Sequence, residues 1–450
     1  MEKIGHSSTT EVAVPSSVAS EHSLNQPAVV LDGDATEKGA VLNENGPDST
    51  EQTEGHLAGP QLFFVMFSAT LAVFLMLLDS SIVATAIPDI TGDFQSLDDI
   101  GWYGTAYLLG NCVFQPLSGK IYTYFNVKWT FLIFFAVFEI GSALCGAAIS
   151  TDMLIIGRAV AGLGASGLLN GGYTLVSLTV PLAKQAGFRG ILIGLSFFGL
   201  LAGPLIGGAL TEYTTWRWCF YINLPAGVVV AGLLIAVRIP DVRVIGDGDL
   251  PISEILGKLD LFGFVLFTPT IMMFIFALQW GGTEYQWDSA IIIGLFAGSF
   301  ANLIVFLVWE NRVGAEAMIP LSLVRRRIIW TSCLNMICFI GCTFTTAYYF
   351  PVYFQAVRNA SPVQSGIDML PQILTNMIVT IMTGGLVGRI GYYLPFALAS
   401  GVLTSVGTGL IATLTPTSSI SRRIGYQIIS GFQGMGFQIP ILAVSNGVRK

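Results

Sequence analysis

Twelve runs of roughly twenty apolar residues follow one another along this chain, near 61–84, 101–118, 129–149, 152–176, 187–210, 219–238, 261–280, 289–309, 330–354, 366–387, 393–414 and 424–445. At about 1.5 Å of rise per residue, each is long enough to cross the hydrocarbon of a bilayer as a helix. No water satisfies peptide groups there, so only internally bonded helices or a closed barrel can cross. Continuous rather than alternating apolar character points to helices. The chain therefore reads as an all-α polytopic membrane protein. Its surface chemistry agrees, since 11% of residues are charged against about a quarter in a soluble domain, and mean hydropathy is +0.69.

The net charge of −7 belongs to one end of the chain. Residues 1–60 hold ten acids against Lys3 and Lys38, with Ser, Thr, Gly and Asn between them. That segment lacks an apolar period and reads as a disordered acidic cytoplasmic tail. It also lacks a basic stretch followed by an apolar core, so it is not a signal peptide. If the tail is cytosolic, the inner loops and C-terminus hold Lys120, Lys128, Lys184, Arg189, Arg238, Arg243, Lys258, Arg312, Arg325, Arg326, Arg327, Arg389, Arg449 and Lys450. The outer loops hold only Arg217, Arg358, Arg422 and Arg423. This asymmetry predicts a cytosolic N-terminus.

The residue inventory excludes most chemistry. His6, His22 and His56 all lie in the tail, so the apolar body offers no imidazole for metal binding or base catalysis. Cys112, Cys145, Cys219, Cys333, Cys338 and Cys342 lack zinc-site spacing and read as small packing residues. No phosphate-binding GxxxxGK[ST] loop is present. The expectation is a protein that is not an enzyme, with no cofactor, no metal and no nucleic-acid partner.

One apolar run, GLLAGPLIGGAL at Gly199–Leu210, is unusual for its glycines. Gly199, Gly203 and Gly207 recur every four residues and so share a helix face, with Gly208 beside them. Small residues let helices approach closely in lipid, where hydrophobic association contributes little. Pro204 removes a backbone donor and is expected to kink the helix.

This stretch is accompanied by LDSSIVATAIPDI at Leu78–Ile90, GKIYTYFNVKW at Gly119–Trp129 and IIGRAVAGLGASG at Ile155–Gly167. In that order they resemble the signatures of the major facilitator superfamily, specifically its 14-spanner drug:proton antiporter branch. WRWCFYINLPAG at Trp216–Gly227 and YYFPVYFQAVRNASPVQSGIDMLP at Tyr348–Pro371 resemble the fungal toxin-efflux members. The resemblance runs from about Gln61 onward. It implies the facilitator fold of two helical bundles, a conformational hinge at Gly199, Gly203, Pro204, Gly207 and Gly208, and a proton-coupling arginine at Arg158. The loop motif keeps Gly119, Lys120 and Lys128, but has Thr123 and Tyr124 where the family places an acid and an arginine. A charge-based cytoplasmic latch is therefore not expected, and Lys120 and Lys128 read as topology anchors.

An internal repeat sets the domain parse. Gly119 and Gly162-Leu163-Gly164 in the first half match Gly384–Gly391 and Gly434-Met435-Gly436 in the second. Spans nine to twelve then copy spans one to four. The expected organisation is a tail at 1–60, an N-terminal six-helix bundle at 61–238, a cytoplasmic loop at 239–260, an inserted helix pair at 261–309, a second loop at 310–329 and an incomplete four-helix bundle at 330–450. On this parse about 12 spans are present of an expected 14, and the chain reads as C-terminally truncated. The rival six-plus-six division puts the loop motif's copy at Glu310–Trp330, which lacks the glycine pattern.

Ionisable groups within apolar runs are functional candidates. Asp79, placed toward the outer end of the first span where water reaches it, reads as the proton-coupling carboxylate or as a helix-end cap. Arg158 either pairs structurally with an acid or tunes a nearby carboxylate. Glu139, mid-span three, reads as structural, and Asp368 as a weak candidate near a helix end. Asn111, Gln115, Asn170, Asn335 and Gln438 are substrate-cavity candidates, with Asn376 and Gln433 beside them.

The functional expectation is a proton-coupled antiporter exporting small amphipathic organic compounds, such as toxins, secondary metabolites or drugs. Its expected partners are that substrate, protons and the lipid bilayer. It is expected to be monomeric, in the plasma membrane first and the vacuolar membrane second. A proton-coupled importer of a nutrient or siderophore, and an inactive truncated product or sensor, remain open alternatives.

Overall fold

The computed structural model describes residues 57, 59–96, 99–239 and 252–437. Sixteen helices follow in chain order: α1 (Gly59–Phe94), α2 (Ile100–Tyr124), α3 (Val127–Gly146), α4 (Thr151–Thr179), α5 (Leu182–Tyr213), α6 (Trp218–Tyr221), α7 (Asn223–Ala236), α8 (Ile252–Lys258), α9 (Leu261–Trp280), α10 (Ala290–Val313), α11 (Leu321–Val324), α12 (Arg327–Val352), α13 (Pro362–Ile390), α14 (Leu394–Ala412), α15 (Ile420–Gly431) and α16 (Gly434–Phe437). Among the described residues, ten helical segments are long and apolar enough to cross a membrane. Two expected spans fall outside that ten. The α2 helix is long enough but carries Asn111, Gln115, Ser118 and Lys120. The α15 helix has 12 residues, among them Arg422 and Arg423, before the chain turns into α16.

Several boundaries differ from the sequence expectation. The α1 helix runs ten residues past the expected end at 84, because its backbone hydrogen bonding continues through Asp89, Thr91 and Asp93 after the apolar run has given way to polar residues. The segment read as a loop at 239–260 contains the short helix α8. The expected tail at 1–60 lies outside the described residues apart from Leu57 and the start of α1, and residues 438–450 likewise lie outside them.

Helix ends follow local chemistry. Asn126, Ser150, Ser289 and Ser361 each accept from the amide three residues on, capping α3, α4, α10 and α13. Gly391 ends α13 at φ 75°, a left-handed position that glycine adopts without strain.

Glycine decides the packing of the first helices. A Cβ on Gly162 would run into the Tyr107 carbonyl of α2, and one on Gly164 would stand 2.6 Å from the Phe138 Cα of α3. The glycine signature on α4 therefore lets α2 and α3 lie against it on two sides. The α5 helix bridges two groups of helices. One face packs on α1, while Gly194 meets Ile381 and Leu205 meets Gly366 of α13. The α9–α10 hairpin lies against α2 through Phe114–Phe264 and Trp102–Phe276 ring contacts at 5.0 and 5.3 Å. In the C-terminal helices, α15 packs between α13 and α14, with Gly431 against Thr375 and Gly407 against Ser430.

Candidate functional site

Asp79 lies inside α1, which continues to Phe94, and is 1% exposed, so it neither caps the helix end nor is open to water as expected. Its Oδ2 is 2.5 Å from Arg158 Nη1. The Arg158 side chain is equally buried, donates from Nε to the Tyr103 carbonyl at 2.9 Å, and lies 4.3 Å from the Tyr107 ring centroid. The Tyr107 hydroxyl donates to the Met76 carbonyl, one helical turn before Asp79. On the other side, Asn223 Nδ2 donates to Asp79 Oδ1 at 3.3 Å and to Ser142 Oγ at 3.1 Å. Helices α1, α2, α3, α4 and α7 thus converge on one ion pair.

Sequence reasoning named both charges but missed Tyr103, Tyr107, Asn223 and Ser142. Asn223 carried a signal, as an amide within an apolar run. The tyrosines did not, because an aromatic residue in a membrane helix is ordinarily packing surface.

Burying two charges costs several kcal/mol per ion, which attraction offsets only with good geometry and further hydrogen bonds. The carbonyl of Tyr103, the amide of Asn223 and the face of Tyr107 supply them here. The site still leaves Arg158 Nη2, Asn223 Oδ1 and both Glu139 carboxyl oxygens buried without a hydrogen-bond partner. Chemically, a carboxylate paired in this way can accept a proton, which would cancel its charge and loosen its hold on Arg158.

The glycine face expected as a hinge lies against α1. A Cβ on Gly199 would stand 2.6 Å from the Phe74 carbonyl oxygen, one on Gly207 would stand 2.7 Å from the Ile82 carbonyl oxygen, and Gly203 faces Ser81. Gly208 is buried, and α5 stays helical from Leu182 to Tyr213 through Pro204. The α1 face it meets includes Ile82 and Ser81, next to Asp79 in sequence.

An apolar cavity of about 590 Å³ opens along the first halves of α1 and α5, lined by Phe63, Met66, Phe67, Phe74, Phe188 and Phe198 among others. None of the expected amides lines it. Asn170 instead donates to the Gln115 carbonyl and to Ser118 Oγ, joining α4 to α2. Asn111 and Asn335 are half-buried on α2 and α12, as is the Gln115 side chain. Asn376 is buried on α13 and Gln433 donates to the Phe339 carbonyl, while Gln438 lies outside the described residues. Asp368 forms an ion pair with Arg423 at 3.1 Å.

At the loop motif, Gly119 faces the Asn170 amide. Lys128 donates to the Ile235 and Val237 carbonyls, satisfying the end of α7. Lys120 donates to the carbonyls of Lys258 and Glu316, tying α2 to both ends of the α9–α10 hairpin. Nearby, Asp260 sits at φ 50° and accepts from Gly263 N, Trp309 Nε1 and Met318 N at 2.9–3.0 Å. Burial pushes the Asp260 carboxyl up, but those hydrogen bonds outweigh it and hold its pKa below the usual carboxylate value.

These features define a multi-pass helical membrane protein whose helices pack around a buried acid–arginine pair. Residues 69–447 match the Major Facilitator Superfamily, and the chain belongs to that family of membrane transporters. It is 49% identical over 426 residues to the "MFS-type transporter pigP" of Monascus ruber, covering 94% of this chain and 75% of that one. It is 50% identical over 408 residues to the "Efflux pump mlcE" of Penicillium citrinum, covering 89% and 74%. Its fold is similar to the xylose transporter XylE from E. coli, with a TM-score of 0.54 at 14% identity, covering 86% of this chain and 87% of that one.

Proposed function

We propose that this protein is a proton-coupled antiporter that exports small amphipathic organic compounds, in the class of toxins, secondary metabolites or drugs. The observation that carries the reading is the buried Asp79–Arg158 pair, a carboxylate held ready for a proton at the junction of five helices. A proton arriving from outside neutralises Asp79 and frees Arg158 to take other acceptors. At the seam between α1 and α5 the glycine face of α5 places no side chain between the helices, so the closely apposed helices can slide and rock as the bundles alternate between inward-open and outward-open states. Export is the direction supported by relatives named as efflux pumps, mlcE among them. The aromatic walls of the α1–α5 cavity suit an apolar, ring-bearing substrate. The proton gradient is an adequate source, since about 2.3 kcal/mol per charge per 100 mV adds to about 1.4 kcal/mol per pH unit. No cofactor is needed. We place the protein as a monomer in the plasma membrane, with its N-terminus in the cytosol.

The test is efflux of fluorescent amphiphiles from proteoliposomes holding the chain, with an imposed pH gradient. Transport that follows the gradient and is lost in Arg158→Ala supports the reading. Transport indifferent to the gradient, or accumulation driven by it, overturns it.

A further inference from the structure

Glu139 is an acid that the Asp79–Arg158 scheme does not use. It sits in the middle of α3, and both of its carboxyl oxygens are buried without a hydrogen-bond partner. Its carboxyl rests against α7 at Gly227, where an added Cβ would stand 2.5 Å from Oε1, 2.6 Å from Cδ and 3.0 Å from Oε2. The missing side chain at Gly227 is thus the socket that holds this carboxyl. One helical turn along the same seam, Ser142 of α3 accepts from Asn223 of α7, which also donates to Asp79.

Among the described residues, no cation is placed to balance a charge on Glu139. The α7 helix carries no titratable residue, and α6 brings Cys219, which faces Thr211 and the Gly207 carbonyl of α5, and Tyr221, whose ring lies at Gly146. The α2 helix brings Tyr107, under Arg158, and Tyr122, stacked on Phe134. The α3 helix itself adds Cys145, which faces α4 at Leu154. The α4 helix brings Arg158, whose Nη1 is taken by Asp79 and whose Nε is taken by the Tyr103 carbonyl. The remaining charge nearby is the negative one on Asp79 of α1. A carboxylate with neither cation nor donor is among the costliest groups to bury, and buried acids without partners persist as neutral carboxyls.

We infer that Glu139 is a second proton-binding site of this bundle, occupied in the state seen here, with Gly227 as its socket and the Ser142–Asn223 step as its link to Asp79. Its part in transport rests on the proton-coupled reading above. Its protonation rests on the seam alone. The two acids share one low-dielectric region, so a second negative charge beside Asp79 is opposed by repulsion. Loss of the Glu139 proton is therefore tied to the charge on Asp79, and the two titrate as a coupled pair.

The experiment is infrared spectroscopy of the purified full chain in lipid nanodiscs at neutral pH, in light and heavy water. A protonated carboxyl shows a carbonyl stretch that moves on deuteration. That band is expected in the native protein, lost in Glu139→Gln, and displaced in Gly227→Ala, whose methyl presses on the carboxyl. A band unchanged in Glu139→Gln, or no such band in the native protein, overturns the inference. If Glu139→Gln fails to fold, Glu139→Asp keeps the acid one methylene shorter, and an unshifted band in that variant overturns it too. Efflux measured on the same samples separates the two readings. A Glu139-dependent band without gradient-driven transport keeps the proton site and removes the antiporter, while transport with no such band does the reverse.

Discussion

At the residue scale, the ion pair is held by its surroundings as much as by its own attraction. Arg158→Ala leaves Asp79 buried without its cation, a change expected to cost about 3–5 kcal/mol. Asp79→Leu combined with Arg158→Met removes both charges at similar volume, and it is expected to recover most of that loss. Thermal unfolding of the three proteins in one detergent checks this, and a double variant no more stable than Arg158→Ala contradicts it. Asp260 gives a pH-dependent counterpart. Its hydrogen bonds depress the folded pKa, so its contribution is complete above the usual value of about 3.9 and is lost as pH falls through the folded value. The melting temperature of the native protein should fall below about pH 4, and Asp260→Asn should show a smaller fall. Both charges of the pair were legible in the sequence, because an ionisable residue in an apolar run is conspicuous. Their partnership was not, since 79 positions separate them and only the tertiary fold sets which helices face each other.

At the element scale, glycine acts through the neighbour it admits. Gly203→Leu would drive a branched side chain into Ser81 of α1, and overpacking of this kind costs about 1–3 kcal/mol. Its expected effect is a lowered melting temperature and loss of efflux in protein that still folds. Gly232 of α7 has nothing within 4 Å of its Cβ position. Gly232→Ala is accordingly expected to be neutral or to stabilise by up to about 1 kcal/mol, leaving efflux unchanged. If the two glycine variants behave alike, the close approach of α1 and α5 has no special role. The four-residue glycine period was visible in the sequence, but α1 as the helix it meets was not. The extent of α1 was also missed, because apolar content falls after Ala86 while helical hydrogen bonding continues. Misplacing that end is what moved Asp79 toward water in the sequence reading.

At the scale of the whole molecule, two of the basic residues assigned to the inner loops tie connections together: Lys120 reaches the carbonyls of Lys258 and Glu316, and Lys128 reaches those of Ile235 and Val237. An epitope tag at the N-terminus is expected to be detected in whole cells only after permeabilisation, and detection on intact cells would reverse the proposed orientation. The loop motif lacks the acid and arginine of its family pattern, yet Lys120 finds carbonyl acceptors at Lys258 and Glu316, on either side of the α9–α10 hairpin, contacts that inspection of the motif alone could not anticipate. By itself the sequence determined that the chain crosses a membrane repeatedly as helices, because uninterrupted apolar length leaves the backbone no other way to satisfy its hydrogen bonds. It also identified the superfamily, through motifs recurring in order. Only the tertiary structure decided that Asp79 is buried and paired, that Glu139 rests in a glycine socket, and that Asn170 and Gln433 join helices. Those outcomes depend on side chains from helices far apart in sequence meeting at distances of a few ångströms, and local pattern carries no information about which of them will meet.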